Sequence, residues 1–369
     1  MKKKEILPSL FETSVFADKK DNAVKPIKEY TGIELFAGAG GLALGFELAG
    51  IKHLALNEFD KFACASLRLN KPDWNVIEGD VHDISFKEFE GKIDVVSGGF
   101  PCQAFSYAGK KLGFEDARGT LFFEFARVIK EVKPVICVGE NVRGLLSHEN
   151  GKTLEGMISV LDELGYRVVQ PVQFLRATQY KVPQKRERLI IVGIRKDIAT
   201  NYYYPAPYHF TYTVKDALKK GVLYDCDCPI SEGRRYAEKK AEVFKLVPPG
   251  GYWKDLPEDI AKAYMGKGYY QGGGRTGVCR RLSWDEPSLT LTCAPDQNRT
   301  ERCHPEETRP LTIREYARIQ TFPDEWQFTG NVENQYKQIG NAVPVNLARE
   351  VGYSVVDFLN RYYSSEKPE

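Results

Sequence analysis

Three groups of residues have the types and spacing to do chemistry. The first is Cys102, in the stretch GGFPCQAFS. Gly98 and Gly99 let the chain leave the preceding apolar run sharply, and Pro101 fixes its own φ and stiffens the loop. A thiol held in such a loop is placed to attack as a nucleophile. The other seven cysteines, Cys64, Cys137, Cys226, Cys228, Cys279, Cys293 and Cys303, have no comparable setting and are expected to be free thiols. The second group is Glu140, delivered at the end of the apolar run in PVICVGENVRGL. A carboxyl pushed into a largely apolar pocket has its proton affinity raised, which suits it to give up a proton near neutral pH. The third is Arg186 and Arg188 in VPQKRERLIIVG, two residues apart and so able to face one side of an extended chain, where they suit phosphates or a ring carbonyl.

A nucleotide-sized site is predicted beside them. LFAGAGGLALGF places Gly38, Gly40 and Gly41 between a strand and a helix, where a backbone without Cβ atoms can approach a ligand. LNEFDKFA puts Glu58 and Phe59 at the next strand end, a carboxylate for ribose hydroxyls beside a ring that can stack on adenine. EGDVHD then offers Asp80 for an adenine amino group. The set fits an adenosine nucleoside. The loop lacks the third glycine of the dinucleotide fingerprint, so a dehydrogenase is the poorer reading.

The elements that must carry these residues read as an α/β protein with a Rossmann-like, doubly wound, mostly parallel sheet. Short continuous apolar runs recur at residues 93–97, 134–139 and 189–194, as in strands covered on both faces. Between two of them Leu121, Phe125, Val128 and Val132 share one helical face. Residues 1–29 are read as an N-terminal extension and 30–200 as the nucleotide-binding, catalytic domain. Residues 201–330, rich in Tyr, Pro and Gly, are read as a smaller loop-rich domain with a single helix at TIREYARIQTF. Residues 331–369 return to the first domain through a stripe of Ala348, Val351, Val355, Phe358 and Tyr362.

Composition sets limits. The 369 residues carry 52 Lys+Arg against 50 Asp+Glu, a net charge of +2, so a nucleic acid would have to meet a local basic surface. No apolar run approaches the roughly 20 residues of a membrane span, and no secretory h-region is seen, which predicts a cytoplasmic protein. Cys226 with Cys228, and Cys303 with His304, lack the usual spacing of zinc-binding pairs, so no metal is expected.

In order, ELFAGAGG, NEFD, GGFPCQAFS, GENVRGL, PQKRERLIIVG, RPLTIREYARIQTFPDEW and QYKQIGNAVPVNLA resemble the motif series of the DNA (cytosine-5) methyltransferases of bacterial restriction-modification systems. The resemblance implies S-adenosyl-L-methionine as cofactor, held by Phe36, Ala37, Gly38, Gly40, Gly41, Glu58, Phe59, Asp80, Val81, Asn341 and Val343. It implies attack of the Cys102 thiolate on C6 of a flipped-out cytosine, with Glu140 at N3 and Arg188, with Arg186 nearby, at O2 and the neighbouring phosphate. It makes Ser106 a candidate DNA-backbone contact and 201–330 the target-recognition domain, with Thr290 in a short threonine and leucine element.

The segment QGGGRTGVCRRLSWDEPSLTLTCAPDQNRTERCHPEETRP has six arginines and no lysine. Arginine grips guanine O6 and N7 bidentately, so Arg275, Arg280, Arg281, Arg299 and Arg302 are candidate contacts to double-stranded DNA at a short specific site. Pairing with Asp285, Glu286, Asp296, Glu301, Glu306 and Glu307 competes with that reading for about half of the six arginines, Arg309 being the sixth. A separately acting cognate restriction endonuclease is the expected companion. The rivals are a tRNA substrate on the same fold and a catalytically silent DNA-binding scaffold.

Overall fold

The computed structural model describes residues 21–101, 120–271 and 275–365. Cys102 and Ser106 lie outside them. Ten strands and ten α-helices are built: β1 Tyr30–Leu35, α1 Gly41–Leu48, β2 Ile51–Glu58, α2 Lys61–Asn70, β3 Val76–Glu78, β4 Val95–Gly98, α3 Leu121–Val132, β5 Ile136–Val142, α4 Lys152–Glu163, β6 Tyr166–Val168, β7 Gln173–Arg176, β8 Gln184–Lys185, β9 Glu187–Arg195, α5 Val214–Leu218, α6 Glu238–Lys245, α7 Glu258–Met265, β10 Ser288–Leu289, α8 Ile313–Ile319, α9 Val332–Asn341 and α10 Val345–Ser365.

Eight strands form one sheet in the order β3-β2-β1-β4-β5-β9-β6, with β7 also paired to β9. The first five run parallel, and β9 is antiparallel to β5, β6 and β7. From β1 the chain steps outward to β2 and β3, then returns to lay β4 and β5 on the other side. That reversal opens a crevice at the carboxyl ends of β1 and β4, where open α/β sheets bind ligands. Glu58 at the end of β2 and Glu140 near the end of β5 stand at this edge.

Burial of both sheet faces explains the continuous apolar strands. One face packs Val95, Ile136, Val192 and Ile194 against Phe46 of α1 and Leu347, Val351, Val355 and Phe358 of α10. Tyr202 and Tyr204 join that core, so the chain leaves the sheet's core beyond residue 200. The other face packs Ile33, Val96, Cys137 and Ile191 under Phe125, Val128 and Val132 of α3 and Val160 of α4. A third core joins Leu44 and Leu67 to Val214, Leu218, Tyr316, Ile319 and Ile339. Phe244, Val247, Trp253, Val278, Cys279 and Cys303 close a small fourth core.

Among the described residues between 201 and 330 there are four α-helices where the sequence suggested one. The extra three lack a readable stripe: α5 has five residues, α6 fully buries only Phe244, and α7 only Ala261. Helices that bury one residue carry too little apolar period to be seen.

Candidate active site

The crevice is a cleft of about 1230 Å³. Phe36, Ala37, Gly38 and Gly41 line it after β1, Glu58 and Phe59 after β2, and Gly99 to Pro101 after β4. Glu140 and Asn141 at the end of β5, Arg186 and Arg188 beside β8 and on β9, Thr290 to Cys293, and Asn341 to Val343 complete the wall.

At one end, the Glu58 carboxylate is fixed by the backbone. Its Oε2 accepts from the Gly38 N–H at 2.7 Å, and its Oε1 from the N–H groups of Phe59 at 2.9 Å and Asp60 at 2.7 Å. The Phe59 ring beside it is 74% exposed, an apolar face left open on the cleft wall. Gly38 has φ +55° and nothing within 4 Å of where a Cβ would stand. Phe36, a non-glycine residue, sits at φ 59°, the kind of backbone strain that collects at ligand sites.

Gly40 permits close packing, and Gly41 does so besides lining the cleft. A Cβ on Gly41 would stand 2.2 Å from the Val343 carbonyl oxygen, and one on Gly40 2.7 Å from Leu67, so α1 owes its close seat to both. Asp80 and Val81 lie outside the cleft lining: the Asp80 carboxylate accepts from the His82 N–H at 3.0 Å and meets its ring Nδ1 at 2.6 Å, and Val81 is buried in the core. A short acidic side chain at a turn finds its own backbone two residues on.

At the other end, Glu140 and Arg188 form a buried pair, Nε to Oε1 2.5 Å. Burial raises the Glu140 carboxyl above its usual range, and the Arg188 and Arg186 charges oppose the rise. A Cβ on Gly99 would stand 2.9 Å from Glu140 Oε2. The second glycine before Pro101 therefore gives the carboxyl its room. Asn141 donates from Nδ2 to the Phe100 carbonyl at 2.9 Å, tying β5 to the stretch that leads into residue 102.

Arg186 behaves otherwise than its spacing suggested. Its guanidinium donates to the carbonyls of Leu291 at 3.1 Å, Gly340 at 2.9 Å and Ala342 at 3.0 Å, and the residue is 2% exposed. Those hydrogen bonds leave Arg188 as the arginine paired with Glu140. Two wall residues drew no role from the sequence. Glu34, buried on β1, has its carboxyl pushed up to about 8 by burial and stands 3.3 Å from the Ser97 hydroxyl, which donates to it. Its signal was a charge inside an apolar strand. Cys293 donates from Sγ to Asn341 Oδ1 at 3.1 Å and had no signal at all.

Comparison with known proteins decides the chemistry. The model of the C-5 cytosine-specific DNA methylases matches residues 30–357. The chain belongs to that family. The methylase is 64% identical over 334 residues to the Type II methyltransferase M.Eco47II of Escherichia coli, covering 90% of this chain and 80% of that one. It is 53% identical over 342 residues to M.Sau96I of Staphylococcus aureus, covering 92% and 78%. A prophage-encoded DNA modification methyltransferase from E. coli shares the fold, with a TM-score of 0.65 at 24% identity over 90% of this chain and 100% of that one. The methylase is an enzyme that transfers methyl groups to C5 of cytosine in DNA. No helix among the described residues is long and apolar enough to cross a membrane.

The candidate DNA arginines divide by their bonds. Arg281 is buried and donates to the carbonyls of Val247, Phe244, His304 and Glu307 and to the Thr308 hydroxyl. Arg302 donates to the carbonyls of Glu301 and Thr290, and Arg309 pairs with Glu307 and Glu315. Arg275 donates to the Gly268 carbonyl and to Gln271. Arg280 keeps one long ion pair with Glu286, 3.7 Å, and a buried Nε without an acceptor among the described residues. Arg299, exposed at φ 78°, is without a hydrogen bond or ion pair to any described residue. Thr290 lines the cleft and donates from its hydroxyl to the Lys185 carbonyl at 2.6 Å.

Proposed function

We propose that the methylase uses S-adenosyl-L-methionine and Cys102 to modify one cytosine of a short duplex site, as the protecting partner of a restriction endonuclease. The observation that supports it is one cleft with a fixed carboxylate and an open aromatic face at one end and a buried acid–arginine pair at the other. The first end fits the adenosine of the cofactor: Glu58 for the ribose hydroxyls, Phe59 for the base, Gly38 for close approach and Asn341 opposite. The cofactor supplies an electrophilic methyl group on a sulfonium.

The residues at the other end serve the target base. Cys102 follows Pro101 directly in the chain. Its thiolate attacks C6 of a cytosine turned out of the stack, forming an S–C6 bond, while Glu140 hydrogen-bonds and protonates N3. The electron pair released at C5 takes the methyl group. Loss of the C5 proton to a base, with return of the N3 proton to Glu140, then breaks the S–C6 bond and frees the Cys102 thiolate. Arg188 keeps Glu140 oriented and presents its remaining N–H groups toward O2 of the ring. Ser106 contacts the DNA backbone, and Arg280 and Arg299, which hold the most unengaged donors of the candidate arginines, face guanines.

The test is expression in a methylation-deficient host, followed by sequencing that reports 5-methylcytosine in context. One short motif methylated at nearly every occurrence is expected. Unmodified DNA in cells holding folded protein that binds S-adenosyl-L-methionine would overturn the reading.

A further inference from the structure

Two walls of the cleft come from distant parts of the chain and are joined at one buried point. Thr290, Leu291 and Thr292 follow β10, and Asn341, Ala342 and Val343 join α9 to α10. The Arg186 guanidinium lies between them, donating to Leu291 on one wall and to Gly340 and Ala342 on the other. Two glutamines brace the same junction. Gln184 accepts the Leu291 N–H at 3.0 Å and donates to Gln320 at 2.8 Å, and Gln320 donates to the carbonyls of Ile339 at 2.7 Å and Ala342 at 3.1 Å. There is no room for independent movement: a Cβ on Gly340 would stand 2.3 Å from the Thr292 carbonyl oxygen.

A guanidinium holding three carbonyls out of water cannot follow one wall and release the other without stranding buried groups. We propose that Arg186 is a positioning residue that couples the cofactor wall to the target-recognition wall, so that binding of cofactor and of duplex strengthen one another. This rests on the proposed function, in which Asn341 meets the cofactor, and on the reading of residues 201–330, Thr290 among them, as the target-recognition domain. By linkage the coupling is reciprocal.

The experiment titrates S-adenosylhomocysteine into the full chain by calorimetry, with and without a saturating duplex that carries the site mapped by methylation sequencing. In the wild type the duplex should tighten the cofactor product about tenfold, within the usual range of such couplings. R186Q should reduce that factor to about twofold or less while each ligand alone binds within about threefold of wild type, and R186K should restore part of it. Full coupling in R186Q, or none in the wild type, overturns the inference. Should R186Q fail to fold by thermal melting, R186K is read in its place, and full coupling there overturns the inference. A wild type that binds the duplex but not S-adenosylhomocysteine would overturn the cofactor reading itself, whereas one that binds both without coupling overturns this inference alone.

Discussion

Replacing Glu140 by glutamine separates proton donation from shape. The side chain keeps its volume, and the Arg188 Nε–H, 2.5 Å from Oε1, directs the amide oxygen of the variant to itself. The amide NH2 then takes the position of Oε2, beside Gly99. It can still donate a hydrogen bond to N3 of the target ring but has no proton to release. General acid catalysis contributes roughly 10²–10⁴-fold, so the barrier should rise by about 2.7–5.4 kcal/mol. Arg188 exchanges a charged acceptor for a neutral one, a stability loss of about 1 kcal/mol. In a chain of this size that lowers Tm by about 1–2 °C. The assay is single-turnover transfer of a tritiated methyl group to duplex, with KM for the donor measured in parallel. The donor KM should stay near wild type, because Glu58 and Phe59 hold the other end of the cleft. Since the protonated acid is the active form, wild-type turnover should fall as pH rises through the elevated Glu140 titration, and E140Q should lose that limb. A single-turnover rate within threefold of wild type, or a defect confined to donor KM, would refute the assignment of Glu140.

Other expectations follow from the same geometry. Phe59→Ala removes an exposed ring, so Tm should hold while the Kd for S-adenosylhomocysteine rises about 3- to 10-fold, the value of an aromatic stack; an unchanged Kd would place the adenine elsewhere. Arg281→Ala leaves several buried carbonyls without donors and should cost about 3 kcal/mol or more in denaturant unfolding. Arg299→Ala should leave unfolding unchanged and weaken or relax sequence reading in methylation profiles, and equal unfolding curves for the two variants would contradict this division. Glu34 titrates near 4.5 when unfolded and about 8 when folded, so the native state holds the extra proton between those values. Its contribution to stability is full below pH 4.5 and is lost as pH rises to 8, at up to about 1.4 kcal/mol per pH unit. Melting at pH 6 and pH 9 should show the wild type losing more than E34Q, and parallel losses would exclude Glu34 as the source.

What the sequence disclosed and what it concealed divide along a physical line. Strand ends were legible because a strand covered on both faces must be apolar throughout and can carry a charge only where it emerges, and Glu58 and Glu140 both stand at the cleft for that reason. The stripe on α3 was legible because that helix lies flat on the sheet. Residues whose partners are remote in the chain were not. Gly41 resembles a ligand-approach glycine, yet its constraint is the Val343 carbonyl. Arg186 and Arg281 resemble reactive or DNA-facing charges, and only tertiary structure shows the carbonyls that hold them. At Asp80 the structure shows a local bond instead, its carboxylate accepting from the backbone two residues on.

The packing of α10 on α1 has a consequence for when the enzyme becomes active. Gly45 would meet Ala348, and Gly352 would meet Ala49 and Phe46, if either carried a side chain, so the two helices are fitted to each other along their length. The helix that follows the Gly38 loop thus finds its mate in a segment far along the chain. A chain that lacks α10 holds the motifs around Gly38, Glu58 and Glu140 without the surface that seats them. The cleft therefore waits for α10, and a gene cut between residues 330 and 331 should yield two inert fragments whose co-expression restores the activity.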